Sequence, residues 1–321
     1  MAEILEVDLL RFERGDDAAR RAVVDGVMRS LATGFVYTSH DLPEEVIDEA
    51  YDKLRQFFTL DQETKARFVA PGSHGQTGYT GLLVETAAIA DVPDWKEMLN
   101  WAEEPPAGHP LRAKYPHRYR DQVLPEPVVP GITEVLMLFH RRIFDLQRRF
   151  LRIIAVGLGA SEELFEAMLR DGSTLTRAIR YPPMPEAPAG GHVWAGEHGD
   201  INLITALPRA TAGGLQVKTA DGWIDAVAPE GKVIINTGMM LEQLSNGVIP
   251  TGIHRVVAAP DQAEERYSVV QFCHPTPWTI LSPLPSCCTP DNPQRFGAIE
   301  AGDKLDEVLY QINLVEDARR V

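Results

Sequence analysis

Cysteine is scarce in this sequence. The 321 residues include three cysteines, Cys273, Cys287 and Cys288, and no two of them have the Cys-x-x-Cys spacing that many metal sites and redox motifs use. Three cysteines cannot all pair, and adjacent cysteines lie too close together along the chain for an easy bridge. We therefore expect free thiols in a reducing compartment and exclude a fold held together by disulfides.

Long apolar runs are missing as well. No stretch approaches the roughly 20 apolar residues that a helix needs to cross a bilayer. The N-terminal stretch MAEILEVDLLRFERGDD is acidic and lacks the basic start and apolar core of a secretory signal peptide. We expect a cytoplasmic protein.

Basic residues are fewer than acidic ones. Lysine and arginine total 31 against 46 aspartates and glutamates, which gives a formal net charge of −15. Nucleic acids and anionic membranes would repel such a chain, because it cannot neutralise their phosphates and release counterions. We expect neither as a partner.

The hydrophobic periodicity changes near residue 173. Before it, apolar residues recur at helical spacing in three stretches, DDAARRAVVDGVMRSLATGF, PEEVIDEAYDKLRQFFTL and GITEVLMLFHRRIFDLQRRFLRIIAVGLG. Residues 71–81 contain four glycines and predict a loop. After residue 173 come short β-prone runs separated by Gly, Pro, Asn and Asp, which favour a jelly roll. The leading helices are expected to cover one face of that sheet.

The stretch Glu-His-Gly-Asp-Ile at 197–201 raises the possibility of a metal site. His198 and Asp200 are two residues apart and would project from the same face of a strand, and His254 follows in another β-prone run, GIHRVVAAP. Two imidazoles and one carboxylate form the facial ligand set of non-haem Fe(II) oxygenases. A His-x-Asp pair alone is a weak signal that an ordinary polar turn also produces. We expect Gly199 to permit a tight turn between the two ligands.

A second pair, Arg266 and Ser268, lies in the β-prone run ERYSVVQF. A buried arginine among apolar neighbours is costly unless an anion meets it. The guanidinium fork matches a carboxylate, and the serine hydroxyl adds a donor. The pair therefore predicts a site for the far carboxylate of a dicarboxylate that chelates iron through its 2-oxo-acid end. The competing interpretation is an internal salt bridge.

These motifs occur in an order that resembles one family over most of the chain. The segments YPP, EHGDINLITAL, GGLQVKTADGWIDAVAPEGKVIINTG, LEQLSNG, HRVV and RYS resemble the isopenicillin N synthase-like family of 2-oxoglutarate/Fe(II)-dependent oxygenases. The stretch LATGFVYTSHDLPEEVIDEAYDKLRQFFTLDQETKARF resembles the helical cap of that family. The resemblance implies an α+β chain with a mainly β core, a double-stranded β-helix (jelly roll) packed with N-terminal and C-terminal helices.

The resemblance also implies a division of the chain. The expected parts are an N-terminal helical cap of the non-haem dioxygenase type at 1–120, a long connecting helix at 121–172, the Fe(II)/2-oxoglutarate jelly roll at 173–280, and a C-terminal extension with a closing helix at 281–321.

A catalytic role follows for five residues from the same resemblance. It implies that His198, Asp200 and His254 are the catalytic Fe(II) ligands and that Arg266 and Ser268 anchor 2-oxoglutarate. The implied reaction consumes O2 and 2-oxoglutarate and oxidises a C–H bond of a small molecule by hydroxylation, desaturation or ring closure. Succinate and CO2 are released, and the expected setting is specialised metabolism.

Five further residues are predicted near the reaction. Tyr181 matches a position that contacts cosubstrate or substrate in relatives. Arg180, Tyr79, Lys96 and Phe272 are candidate substrate contacts. For Arg180 a surface salt bridge is an equal alternative, and for Tyr79 ordinary packing is the alternative.

Two other functions stay open on the sequence alone. One is an Fe(II)/O2 oxidase of the same fold that does not consume 2-oxoglutarate, because the Arg-x-Ser pair occurs in both types. The other is a non-catalytic jelly-roll binding protein, against which the intact ligand set argues.

Overall fold

The computed structural model describes residues 3–73, 75–85, 92–189, 191–259 and 261–311. The helices of this part of the chain are α1 Leu9–Arg14, α2 Asp17–Ser30, α3 Glu44–Phe58, α4 Gln62–Ala66, α5 Pro110–Lys114, α6 Ile132–Gly157, α7 Glu166–Leu169, α8 Met239–Leu244 and α9 Ala301–Gln311. Residues 312–321, the end of the predicted closing helix, lie outside the described residues. Among the described helices, none combines the length and the apolar character that a bilayer crossing requires.

The strands form two large sheets and one small one. They are β1 Glu6–Val7, β2 Phe35–Ser39, β3 Gly78–Thr80, β4 Glu97–Ala102, β5 Leu175–Tyr181, β6 Ala195–His198, β7 Ile204–Ala210, β8 Leu215–Thr219, β9 Gly222–Asp225, β10 Lys232–Thr237, β11 His254–Val256, β12 Arg266–Cys273, β13 Ile280–Leu281 and β14 Ile299–Glu300. The major sheet has the order β1-β2-β10-β7-β12-β5-β4-β3, the minor sheet has the order β6-β11-β8-β9, and β13 pairs with β14. Within the major sheet β1 runs parallel to β2, whereas all the other paired strands are antiparallel.

The two large sheets enclose a cavity. Its wall includes residues of β5, β7, β10 and β12 from the major sheet and of β6, β8 and β11 from the minor sheet. Side chains of the two sheets, such as Tyr181 of β5 and Val217 of β8, also belong to one hydrophobic core. Two facing sheets of this kind confirm the predicted double-stranded β-helix.

Alternation along β12 separates a cavity side from a helix side. Arg266, Ser268, Val270 and Phe272 line the cavity, whereas Tyr267, Val269 and Cys273 belong to the core between the major sheet and the helices. This is the period of two that a strand imposes. One strand thus supplies both a polar site and part of the apolar core.

Helix α6 covers the outer face of the major sheet. Its buried residues recur at helical spacing, and it packs on β7 and β12 and also against α2 and α3. Gln147 of α6 donates to the carbonyl oxygens of Ile204 and Gln271, at 3.1 and 3.0 Å, which fixes the helix to both strands. The three longest predicted helices correspond to α2, α3 and α6.

The front of the chain is less purely helical than the sequence predicts. It supplies β1 and β2 at one edge of the major sheet and β3 and β4 at the other. The predicted loop at 71–81 contains β3, whose residues pair with β4. These strands form by pairing with partners far away in the sequence, which local periodicity does not report.

Helix α9 closes one end of the cavity. Leu305, Val308 and Leu309 of this helix line the cavity wall. The Arg118 guanidinium pairs with the Asp306 carboxylate at 2.5 Å and so holds α9 to the segment that follows α5. The C-terminal extension therefore takes part in the cavity.

Candidate functional site

The structure brings together the three residues that the sequence predicts as metal ligands. His198 is the last residue of β6 and His254 the first of β11, and the antiparallel pairing of these strands sets the two directly opposite each other. Asp200 follows two residues after His198. The ligand atoms of all three side chains lie within 4.8 Å of one another, which is close enough for one ion to contact all of them.

Each imidazole is oriented by a backbone carbonyl. Nδ1 of His198 lies 2.8 Å from the oxygen of Gly196, and Nδ1 of His254 lies 2.9 Å from the oxygen of Gly252. A carbonyl oxygen can only accept, so Nδ1 carries a proton in both rings, and Nε2 is the nitrogen that can bind a metal. This is the outer-shell arrangement that metal-binding histidines use.

The Asp200 carboxylate is held by two donors on one oxygen. The hydroxyl of Thr205 and the amide of Asn236 donate to Oδ2, at 2.5 and 2.7 Å. Oδ1 is left for another partner. The sequence did not predict this role for Thr205 or Asn236; the only signal was their place in the β-prone runs NLITALP and KVIINTG.

The electrostatics of the cluster suit a divalent cation. Burial lowers the pKa of the His198 imidazole to about 4, with a further contribution from His254. Burial acts to raise the pKa of Asp200, but the two imidazoles and the hydrogen bonds outweigh it and hold that pKa below its ordinary value. Neutral imidazoles and an ionised carboxylate are the protonation states that metal binding requires. The donor set of two nitrogens and one oxygen fits Fe(II).

Gly199 has a steric rather than a conformational role. Its backbone is outside the left-handed region, so the expected need for a special turn is not met there. A Cβ at this position would lie 2.7 Å from Cγ2 of Thr251 and 3.0 Å from Cδ1 of Ile253. The glycine therefore makes room for the neighbouring segment that leads to His254.

Gly199→Ala should destabilise the protein by about 1–3 kcal/mol, the usual cost of overpacking. Differential scanning calorimetry measures this loss. Thr251→Ser removes Cγ2 while keeping the hydroxyl that donates to Glu242. The double variant, Gly199→Ala with Thr251→Ser, should therefore recover part of the stability that Gly199→Ala loses. Equal stability of Gly199→Ala and the double variant would contradict the steric explanation.

Arg266 and Ser268 lie together at one end of the cavity. Arg266 is 1% exposed, and its guanidinium donates to the Ser268 hydroxyl at 3.0 Å and to the carbonyl of Ala212 at 3.1 Å. The ring of Tyr181, directly opposite on β5, lies 5.0 Å from the guanidinium carbon. Within the described part of the chain no carboxylate pairs with Arg266. A buried cation in this position calls for an anion from outside, and the arrangement fits the far carboxylate of a 2-oxo dicarboxylate.

Two of the four predicted substrate contacts lie at the cavity, which measures about 410 Å³. Lys96 lines the wall and pairs with Glu85 at 2.6 Å and Asp94 at 2.8 Å. Phe272 also lines the cavity, with the guanidinium carbon of Arg177 5.4 Å from its ring centre. The cavity wall beside Lys96 and Phe272 thus combines balanced charges with an aromatic surface.

Arg180 and Tyr79 are not brought to the cavity. Arg180 pairs with Glu97 and Glu265, each at 2.7 Å, and the Tyr79 hydroxyl donates to Glu97. Lys65 completes this buried cluster on the opposite side of β4 and β5, at 2.8 Å from Glu97. The prediction that Arg180 and Tyr79 contact substrate is thereby corrected. Arg180 faces away from the cavity because neighbours along a strand face opposite sides and Tyr181 faces the cavity. Tyr79, on β3, faces the Glu97 cluster instead.

Two cavity residues were not predicted from the sequence. Arg177 lies two positions from Ile179 on the cavity face of β5, and Glu85 precedes a segment outside the described residues. His274, which follows β12 directly, lies on the cavity wall, as its place after the Arg266–Phe272 row predicts. Because side chains alternate along a strand, the strand face that holds Tyr181 also holds Arg177, and the row that starts at Arg266 continues to His274. Glu85 had no signal in the sequence.

Two families match successive parts of the chain. The N-terminal family described as non-haem dioxygenase in morphine synthesis matches residues 7–126. The 2OG-Fe(II) oxygenase superfamily matches residues 172–275, a range that contains all three residues of the ligand cluster.

Solved structures and curated proteins resemble the chain over nearly its whole length. A crystal structure described as a 2OG-Fe(II) oxygenase family protein from Caulobacter crescentus is 33% identical, with a TM-score of 0.84, and the match covers 97% of this chain and 100% of that one. A full-length Neurospora crassa protein, solved in complex with alpha-KG and thymine, is 25% identical, with a TM-score of 0.82 and 97% of each chain covered. The 2-oxoglutarate-Fe(II) type oxidoreductase hxnY of Emericella nidulans is 26% identical over 309 residues, 93% of this chain and 87% of that protein.

These matches agree with the ligand cluster, the fold and the order of the motifs. The predicted family is confirmed, and with it the enzyme class and the expected cofactors. This chain belongs to the 2OG-Fe(II) oxygenase superfamily.

Proposed function

We propose that this oxygenase binds Fe(II) through His198, Asp200 and His254 and anchors 2-oxoglutarate through Arg266 and Ser268. The observation that carries the proposal is the buried guanidinium of Arg266, which has no carboxylate partner among the described residues and lines the same cavity as the ligand cluster. A protein that used the cluster alone would have no need of this uncompensated charge.

Fe(II) held by His198, Asp200 and His254 would supply the O2 chemistry that couples decarboxylation of 2-oxoglutarate to succinate and CO2 with oxidation of a substrate C–H bond. The chain supports this chemistry by positioning. The carbonyls of Gly196 and Gly252 aim the two imidazoles, and Thr205 and Asn236 hold the carboxylate of Asp200. Apolar residues of both sheets and of α9 limit the access of water to the cavity.

The substrate is a small molecule in this proposal. A cavity of about 410 Å³ is of the size that ligand sites for small molecules have. Thymine is bound in the Neurospora crassa complex, and other similar proteins are named for small-molecule chemistry, among them azadirone synthase LFS of Melia azedarach. Specialised metabolism is the setting that these names support.

An anaerobic titration tests the proposal. Fe(II) is added to the metal-free protein with and without 2-oxoglutarate, and the weak visible absorption of a 2-oxo acid chelated to Fe(II) is recorded. We expect the absorption only when both are present, followed by succinate formation when O2 is admitted. Fe(II) binding without any such absorption would instead support an oxidase that does not use 2-oxoglutarate.

Removing an outer-shell donor should weaken metal binding. Asn236→Ala leaves Asp200 with one donor in place of two, and we expect an Fe(II) affinity about 10- to 100-fold lower. Thr205→Val, which removes the other donor, should give a loss of the same order. Competition with a chelator of known affinity measures both, and unchanged affinity in the two variants would contradict the role assigned to them.

A further inference from the structure

His274 is a buried imidazole on the wall of the cavity. It follows β12 directly and continues the inward-facing row that starts at Arg266 and includes Phe272. The residue is 7% exposed. Arg266 and His274 thus lie at opposite ends of one row, and the anchor proposed for 2-oxoglutarate uses the Arg266 end.

The hydrogen bonding of His274 differs from that of the other described histidines. Nδ1 of His274 is buried and has no hydrogen-bond partner within the described part of the chain. In each of the other described histidines Nδ1 has a partner: His40, His109, His117, His140, His192, His198 and His254. Buried polar groups without partners are rare and costly in folded proteins, so this exception calls for a functional explanation.

The protonation state of the ring follows from its surroundings. Burial lowers the pKa of His274 to about 4, so the imidazole is neutral near pH 7 and carries one proton. A proton on Nδ1 would leave a buried donor without an acceptor, which is the rarer kind of defect. The proton therefore belongs on Nε2, and Nε2–H is the part of the ring that can donate to a ligand in the cavity.

Apolar side chains form part of the cavity wall that His274 shares. Phe272, Leu175 and the α9 residues Leu305 and Val308 line the cavity with His274. Two charged groups act on the imidazole, Arg118 and Asp200. Asp306 neutralises Arg118 through an ion pair at 2.5 Å, and Asp200 is one of the three proposed metal ligands. A single neutral donor among apolar groups suits an uncharged ligand with one acceptor oxygen.

We infer that His274 is a substrate-recognition residue, whose Nε2–H donates to a carbonyl or hydroxyl oxygen of an otherwise apolar, uncharged substrate held between β12 and α9. This inference rests on the proposed function, since it places the substrate in the same cavity as the iron ligands. It names the chemical class of the substrate and the residue that recognises it.

The first test needs no ligand. In the metal-free protein, His274→Phe or His274→Leu should raise Tm by about 2 °C, because the variant removes a buried group without a partner. His140→Phe is the matched control: His140 is also buried, but its Nδ1 lies 2.7 Å from the hydroxyl of Thr176, so its Tm should fall. A fall in both His274 variants, of the size seen in the control, would show that His274 has a structural partner and would overturn the inference.

The tautomer gives a second measurement on the same protein. Two-bond ¹H–¹⁵N spectra of histidine-labelled protein, with His274 identified by its loss in His274→Phe, should show a neutral ring protonated on Nε2 at pH 7. A proton on Nδ1, or a cationic ring, would contradict the inference.

The substrate class is tested with matched pairs of compounds. Cyclic ketones and their hydrocarbon parents, such as indan-1-one and indane, are bound to protein loaded with Zn(II) and 2-oxoglutarate, and affinities are taken from the shift in Tm. For at least one pair the ketone should bind about tenfold more tightly to the wild type, a difference typical of one hydrogen bond, and His274→Phe should abolish that difference. A difference that survives in His274→Phe, or a panel in which no ketone binds more tightly than its parent, would overturn the inference.

These tests separate the two proposals. If 2-oxoglutarate produces no visible absorption with Fe(II), the proposed function fails, while Tm of the metal-free variants still reports on His274. If the absorption forms normally in both the wild type and His274→Phe and the ketone preference is the same in both, only the substrate inference fails.

Discussion

Asp200→Asn is expected to abolish Fe(II) binding in a protein that remains folded. Oδ2 of Asp200 accepts from Thr205 and Asn236, and an asparagine can place its single carbonyl oxygen at the same point. Its NH2 group then faces the two imidazoles, and an amide nitrogen that carries two hydrogens cannot bind a cation. Fe(II) affinity should fall by more than the roughly 100-fold that loss of an outer-shell partner costs, and succinate formation should fall with it.

The measurement combines chelator competition for Fe(II) with a thermal scan of the metal-free protein. Asp225→Asn, at an exposed aspartate of β9 that accepts from Gln216, is the matched control and should keep full affinity. A folded Asp200→Asn protein with wild-type Fe(II) affinity would remove Asp200 from the ligand set.

Arg266→Met is expected to affect stability and cosubstrate binding in different ways. Methionine fills much of the same volume without charge, so the free protein loses an uncompensated buried cation, and its Tm should not fall by much even though the Ala212 carbonyl loses a donor. Affinity for 2-oxoglutarate should fall by about 30-fold or more, as happens when one partner of a buried charge pair is removed.

Calorimetry of 2-oxoglutarate binding to the anaerobic Fe(II) protein measures the loss, and a thermal scan of the metal-free protein measures stability. Arg255→Met is the control, because Arg255 stacks on Trp223 at 4.1 Å and is absent from the cavity wall. A strongly destabilised Arg266→Met protein that still binds 2-oxoglutarate normally would favour the internal salt-bridge interpretation over the anchor.

The architecture explains how one cavity serves two small molecules. The minor sheet supplies His198 and His254 through the pairing of β6 and β11, while the major sheet supplies Arg266 and Ser268 through the inward face of β12. Because β12 runs from Arg266 towards His274, the anchor and the proposed recognition residue lie at its two ends. The ligand cluster faces this row from the opposite sheet.

Much of the ligand cluster and of the anchor could be predicted from the sequence alone. The spacing of His198 and Asp200 and that of Arg266 and Ser268 each match a strand period of two, which puts both members of a pair on one face whatever the rest of the fold does. The helical period likewise marks α2, α3 and α6. Strict alternation of side chains along β5 also means that Arg180 and Tyr181 cannot both face the cavity.

Other features were decided only by the tertiary structure. Strands β2 and β4 of the N-terminal part form because their backbones pair with β10 and β5, far away in the sequence, and no local pattern specifies such a pairing. Thr205, Asn236 and Gly199 gained their roles from segments that the fold brings next to them. The sequence by itself determined which side chains share a strand face, because backbone geometry alternates them. Long-range packing decides which strand faces meet. It therefore also decides that Nδ1 of His274 has no partner among the described residues and that Arg180 has two carboxylate partners.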